Sequence, residues 1–483
     1  MNKTQLLFLV ILVEGYVVLA IELLAIRTLI PFVGSGTETV SIIISFVLLP
    51  LAFGYHYGGN AFKTIYAKSK LKDGKKLSIR KILLRNIILS LFILTLGLSY
   101  VFQEAFFVNL SYNGITNKLV QTAIYCALYL SIPVFLLAQT VPLVSNYFSR
   151  QKLSQITGKM LFFSTSGSFM GSIFSTIVLM TYVGVNYTII FTLSLLCLLI
   201  WMLIKRKFSL ESLYCLMIIS VLYLLNCSAA MRGFNIVSNN AYSTIIVSED
   251  TKNDIKTLLS NNSISSRLSP DPGKRFEYIN YINDYFINPR ISDGAKPLDI
   301  LVVGAGGFTL GLEDKYNNYT FVDIDPDLKD VAEKYFLNSE LSPNKKFVAS
   351  SARAFLHNDG RKYDLVVVDV YSNLRSIPME CITREFLLDI KNILKENAIV
   401  VVNVISSPSF ADKFTVRYYN TFASVFPVFT RQIVQLHNDA DLLKKNNNMT
   451  DRNILYIYNN SKYIYDNSIY TDNKNSYSID RPH

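Results

Sequence analysis

The hydrophobic pattern divides the chain in two. Seven apolar runs lie near residues 5–30, 38–58, 82–103, 119–147, 159–183, 186–204 and 209–229. Each is long enough to cross about 30 Å of hydrocarbon as a helix. They predict an all-α polytopic membrane bundle of about seven helices over residues 1–229. After Ala230 the pattern changes abruptly. AYSTIIVS at 241–248 reads as a short strand, and FEYINYINDYFIN at 276–288 as further extended chain, so 230–290 forms a small β-rich lead-in. From Leu298 strands and helices alternate. LDILVV, YTFVDID, KKFVA, YDLVVVDV and IVVVNVI are strands, and DLKDVAEKYFL and TREFLLDIKNILKENA are helices. QIVQLH and NILYIYNN add later strands. Continuous apolar strands between amphipathic helices predict a doubly wound α/β domain with a parallel sheet over 291–460. Residues 461–483 form a polar, Asn- and Tyr-rich tail, expected as loop or disordered chain.

Composition and charge sharpen the first half. The chain is 51% hydrophobic with a net charge of +11. From residue 230 onward 29 basic residues face 30 acidic ones, which leaves 18 basic against 6 acidic in the first 229. The excess therefore belongs to the membrane half and reports topology, not nucleic-acid binding. Lys63, Lys68, Lys70, Lys72, Lys75, Lys76, Arg80 and Lys81 fill the second loop. Arg150 and Lys152 mark the fourth, and Lys205, Arg206 and Lys207 the sixth. The odd-numbered loops are nearly free of Lys and Arg. By the positive-inside rule the N-terminus is cytoplasmic in a cell or inner membrane. With an odd number of helices the C-terminal domain lies outside. The five cysteines suggest neither a disulfide framework nor a zinc site.

Glu14, Glu22 and Arg27 sit within the first apolar run. A carboxylate in hydrocarbon is costly and should face the bundle interior. Glu22 is the candidate functional charge, a proton or cation site. The structural alternative is a pair with Arg27 or Lys159. Gly167, Gly171 and Ser175 recur every fourth residue on the fifth run, a small-residue stripe that permits close helix packing.

In a doubly wound sheet, ligands bind beyond the carboxyl ends of the strands. Gly304, Gly306 and Gly307 follow the first strand there, and Asp323 ends the second. Glycine turn plus acid at this spacing suits a nucleoside, with the carboxylate accepting from both ribose hydroxyls. The alternative is a turn required only by strand–helix geometry. The loop lacks the full dinucleotide fingerprint. Asp369 ends the strand YDLVVVDV and is a candidate base toward an amine, with Tyr371, Ser372 and Asn373 after it as candidate pocket lining; the alternative is a strand-end Asp that caps the next turn. Asp364, at the other end of that strand, reads as structural. Thr383 reads as a helix N-cap. His357 and His437 are lone histidines, so no metal site is expected.

The ordered set VVGAGG, FVDIDP, SSARAFL, YDLVVVDVYS and ITREFL resembles the spermidine synthase (aminopropyltransferase) family, which shares the adenosylmethionine-dependent methyltransferase fold. The resemblance covers roughly residues 240–460. GYVVLAIELLAIRTLIPFVGS and the glycine-rich fifth run resemble the membrane half of fused membrane/spermidine-synthase-like proteins. The resemblance implies a site for decarboxylated adenosylmethionine or adenosylmethionine as co-substrate, with no tightly bound cofactor, beside a small-molecule amine such as a polyamine. By position, Gly304 and Gly306 would approach the nucleoside, Asp323 would hold the ribose, Asp369 would be the base and Tyr278 a pocket tyrosine. Gly307, Ser351 and Ser372 stand where the family carries acids, at the glycine loop, the adenine amine and the substrate amine. Tyr278-Ile279-Asn280 replaces a Tyr-His-Glu run.

Three readings follow. The first is a membrane-anchored transferase of an aminopropyl or methyl group. The second is a catalytically inactive spermidine-synthase-like binding or assembly module. The third is a transport-like bundle with Glu22 as its functional charge and a regulatory soluble domain.

Overall fold

The computed structural model describes residues 3–71, 79–145, 153–204, 209–289, 296–371, 377–434 and 452–459. Ser372, Asn373, His437, the polar tail and most of the basic loop residues lie outside the described residues.

Every apolar run forms helix. The bundle comprises α1 (Lys3–Val33), α2 (Thr37–Leu71), α3 (Ile79–Gly97), α4 (Tyr100–Tyr112), α5 (Lys118–Ser145), α6 (Gln155–Met180), α7 (Val185–Leu203) and α8 (Leu210–Asn226). Five of these are long and apolar enough to cross a membrane, and α3 with α4, bent by 69° at Leu98–Ser99, would make a sixth. Helix α8, with 17 residues, is shorter. Large apolar side chains face outward along the bundle, among them Leu48, Phe53, Phe162, Phe169, Ile177 and Leu216. Such a surface suits lipid, where helices satisfy their own backbone groups.

The stripe on α6 packs directly on α1. A Cβ at Gly167 would lie 2.0 Å from the Leu12 carbonyl oxygen, and one at Gly171 2.3 Å from that of Tyr16. Tyr16 and Ser175 join their hydroxyls across this contact at 2.9 Å. Glu14, 2% exposed, is the carboxylate buried in the bundle, and its Oε2 has no partner among the described residues. Glu22 is only half-buried. Arg27 pairs with neither; its guanidinium leaves the bundle for Asn239, Asn240 and Thr244.

The soluble half begins with an antiparallel sheet in the order β1 (Ile236–Asn239), β2 (Thr244–Asp250), β3 (Ile255–Ser260), β4 (Ser263–Leu268). Asn261 and Asn262 close its last hairpin, both with positive φ, the conformation a two-residue turn needs to match strand twist. The segment expected as extended chain is instead helical: α9 (Glu277–Ile282) continues as a wider turn through Ile287. The buried residues of this segment, the N-cap Phe276 with Tyr278, Ile279, Ile282 and Ile287, include the i, i+3 and i, i+4 pairs 276/279, 279/282 and 278/282. That helical spacing outweighs the strand preference of its aromatic and β-branched residues.

Seven strands form the main sheet in the order β10-β11-β9-β8-β5-β6-β7. They are β5 (Asp299–Val303), β6 (Asn318–Asp323), β7 (Lys345–Ala349), β8 (Tyr363–Val368), β9 (Leu394–Ser406), β10 (Thr430–Val434) and β11 (Arg452–Asn459). β5 to β9 run parallel, while β11 is antiparallel to both β9 and β10. The sheet is therefore mixed, not wholly parallel. Ile300 and Val302 of β5 pack with Phe308 and Phe321 on one face; Leu301 and Val303 pack with Phe386 and Phe422 on the other. Burial on both faces is why β5 and β8 read as unbroken apolar runs. Strand order reverses between β5 and β8, which opens a crevice at their carboxyl ends.

Candidate active site

Three adjacent strands deliver the candidate residues to that crevice. β5 runs into Gly304 and β6 ends on Asp323. β8 is followed by Asp369, whose amide donates to the Val303 carbonyl at 2.8 Å. The acid pair is thus separated by one strand, and that central strand carries the glycine turn.

Asp369 is gripped from two sides. Tyr278 of α9 donates its hydroxyl to Oδ2 at 2.6 Å, and Asn403 of β9 donates Nδ2 to Oδ1 at 2.9 Å. Burial pushes the Asp369 carboxyl above its ordinary range, while these two bonds pull it back. Tyr278 is driven well above the usual phenol range by its burial and by the neighbouring Asp369, so it stays a donor. Tyr371 receives the Ile405 amide at 2.6 Å and donates to the Asn403 carbonyl at 3.4 Å, which fixes the strand that carries Asn403.

Asp323 is half-buried. Its Oδ2 accepts the Ala305 amide at 3.1 Å and its Oδ1 the Asp325 amide at 3.1 Å. Each oxygen retains acceptor capacity for a further donor. Burial raises its pKa to about 6, with the backbone bonds opposing and the Asp325 charge adding to the rise. Ile324, next in sequence, is an exposed large apolar residue, 52% accessible.

The glycines make room for protein. A Cβ on Gly304, at φ +91°, would meet the Asp369 carbonyl oxygen at 2.1 Å; one on Gly306 would meet Ser266 Oγ at 2.9 Å; one on Gly307 would meet the Phe336 ring at 2.4 Å. The Gly307 amide donates to Ser266 Oγ at 2.7 Å, tying the loop to β4 of the small sheet. Ser351 caps the helix α10 (Ala352–Asn358), accepting the Ala354 amide at 3.4 Å. Thr383 caps α11 (Arg384–Asn392) in the same way. Asp364 lies at the opposite edge of the sheet, where it binds the Asp299 amide and Lys395. Among the described residues no group of three or more His, Cys, Asp or Glu converges to hold a metal ion.

The sequence does not single out Asn403, Ile324, Ser266 or Asp325. Asn403 alone left a signal there, as the one polar residue in IVVVNVI.

Residues 289–437 match the family model of the spermine/spermidine synthase domain. The polyamine aminopropyltransferase of Vibrio vulnificus is 30% identical over 138 residues, 27% of this chain and 46% of its own length. That of Sulfurisphaera tokodaii is 31% identical over 153 residues, 30% of this chain and 50% of its own. The chain thus spans about half the length of these curated relatives. Among solved structures, a probable spermidine synthase from Corynebacterium glutamicum aligns at 20% identity and a TM-score of 0.38, covering 47% of this chain and 80% of that one.

Proposed function

Because the C-terminal part of the chain carries a spermine/spermidine synthase domain, we propose that it is a transferase of an aminopropyl group from decarboxylated adenosylmethionine to a small amine. The alternative donor is adenosylmethionine itself, with a methyl group transferred. The observation that carries this reading is the Tyr278–Asp369–Asn403 cluster, held one strand away from Asp323. In this reading Asp323 accepts from the ribose hydroxyls and Ile324 covers one face of the adenine. The amine nitrogen attacks the donor carbon bound to the sulfonium. The carbon–sulfur bond breaks, and the thioether nucleoside leaves with the bonding pair. Asp369 takes the proton that the amine loses, a task suited to a carboxylate whose basicity burial has raised. Its negative charge also favours the sulfonium before reaction.

The domain sits on a membrane bundle in this account, at the bundle end away from the basic loops. Arg27, Tyr100 and Gly184 approach Asn240, Asn262 and Asn239 at that end. Arg80 of α3 binds the Leu203 carbonyl oxygen at the other. Together with the loop charges, this arrangement supports a cytoplasmic N-terminus and an external catalytic domain.

A second reading, a non-catalytic binding or assembly module, draws support from Ser351 and Gly307. The first is spent on a helix cap, the second gives its amide to Ser266, and neither supplies a carboxylate for a cationic substrate. Titration of purified full-length protein with an adenosylmethionine analogue tests the proposal. Binding that Asp323→Ala abolishes supports a donor site, and no binding at millimolar analogue rejects it.

A further inference from the structure

Arg27 lies near the end of α1 and is 5% exposed. A guanidinium buried this far needs acceptors and an opposite charge nearby; Nε and Nη2 find acceptors, while Nη1 has none among the described residues. Its acceptors come from the other domain. Nε donates to the Asn240 carbonyl at 2.8 Å, and Nη2 reaches Asn239 Oδ1 at 3.3 Å and Thr244 Oγ1 at 3.2 Å. Asn240 then passes the constraint onward. Its Nδ2 donates at 2.7 Å to Asp325 Oδ1 and at 2.7 Å to Asp327 Oδ2. Ser243 donates its hydroxyl to the other oxygen of Asp325. Asp325 is 2% exposed, and its charge is within Coulombic reach of Arg27. The Asp325 amide donates to Asp323 Oδ1, and Asp323 Oδ2 takes the Ala305 amide. Hydrogen bonds therefore run without a break from a helix of the bundle to the acid at the end of β6 and to the glycine turn after β5.

We propose that Arg27 is a positioning residue for the nucleoside site: through Asn240 and Asp325, the membrane bundle holds the Asp323 carboxylate and the 304–307 turn in their binding geometry. The inference rests on reading Asp323 as the ribose acid. A bond that merely glued two domains would end at Asn240. This one continues because Asn240 spends its main-chain carbonyl on Arg27 and its side-chain Nδ2 on the loop that orients Asp323. It accounts for an arginine placed where lipid would otherwise exclude it, and it makes the bundle part of the site's scaffold.

Hydrogen–deuterium exchange on the full chain in lipid nanodiscs, without ligand, tests it. Arg27→Gln should raise amide exchange at 304–311 and 323–328 about tenfold, the factor that corresponds to roughly 1.4 kcal/mol of lost local stability. The amides of β8 and β9 should keep their rates. Arg27→Lys, which retains one donor to Asn240, should fall between. Unchanged exchange at both segments in folded Arg27→Gln overturns the proposal. Should that variant not fold, Asn240→Ala leaves the bundle sequence intact and carries the same expectation and the same refutation. Titration with an adenosylmethionine analogue separates the two claims. In that assay Arg27→Gln should weaken binding and Arg27→Lys should restore part of it. If exchange responds as expected but wild type binds no analogue, the ribose role of Asp323 fails and the mechanical link stands.

Discussion

Donor binding should switch off with acid in a way that can be traced to one carboxylate. Asp323 ends β6 with each oxygen already holding one backbone amide, and burial lifts its pKa to about 6. Ribose hydroxyls bind an ionised carboxylate more strongly than a protonated one. At pH 7 about nine-tenths of the Asp323 carboxylates are ionised, and at pH 5 about one-tenth. Analogue affinity should therefore fall about tenfold between those values, a loss of roughly 1.4 kcal/mol. Stability should move the other way. A carboxyl whose pKa is raised by folding from 3.8 to about 6 binds more protons folded than unfolded across that window. Its contribution to stability grows as pH drops through 6 toward 4. Calorimetric titration of the analogue from pH 8 to pH 5, paired with thermal melts of the free protein, reads both trends. Asp323→Asn should remove the pH step in affinity and flatten the corresponding difference in melting. An affinity independent of pH, or a step that survives Asp323→Asn, would refute the assignment.

Gly304→Ala should lower the unfolding free energy of the soluble domain by about 3 kcal/mol or more, because the new β-carbon would sit on a residue held at positive φ and collide with the Asp369 carbonyl; chemical denaturation followed by tyrosine absorbance measures this. Tyr278→Phe removes a hydrogen bond that holds the Asp369 carboxyl down. The acidic limb of the pH–rate profile should therefore move to higher pH, with kcat reduced. A reporter fused after His483 should be active only outside the cytoplasm; cytoplasmic activity would place the domain on the other side.

Some of this site is written locally and some is not. The apolar runs of β5 and β8 are legible because both faces of the sheet are covered, and the glycine turn and Asp323 follow from strand ends and spacing. What the glycines accommodate was not legible. Gly304 yields to a backbone carbonyl from β8, a contact made only when the sheet assembles. FEYINYINDYFIN is rich in strand-forming residues and so reads as extended chain, yet Tyr278, Ile279 and Ile282 are the buried residues of a helix. Asn403 could have been suspected, since a polar residue in a buried strand needs a partner, but nothing near it in sequence named Asp369. The partner of Arg27 lies 213 residues away, whereas the nearby Glu22 was the obvious candidate from sequence. Long-range pairs of this kind are fixed by the docking of two domains and leave no local periodicity.

The claim that the soluble domain is a transferase is tested most directly by product analysis. Purified full-length protein is incubated with decarboxylated adenosylmethionine and a polyamine, and the mixture is resolved by mass spectrometry. The account predicts release of methylthioadenosine matched by an aminopropylated amine, both lost in Asp369→Asn. Donor that binds yet yields neither product, with adenosylmethionine equally inert as a methyl donor, would contradict it and leave a binding module in its place.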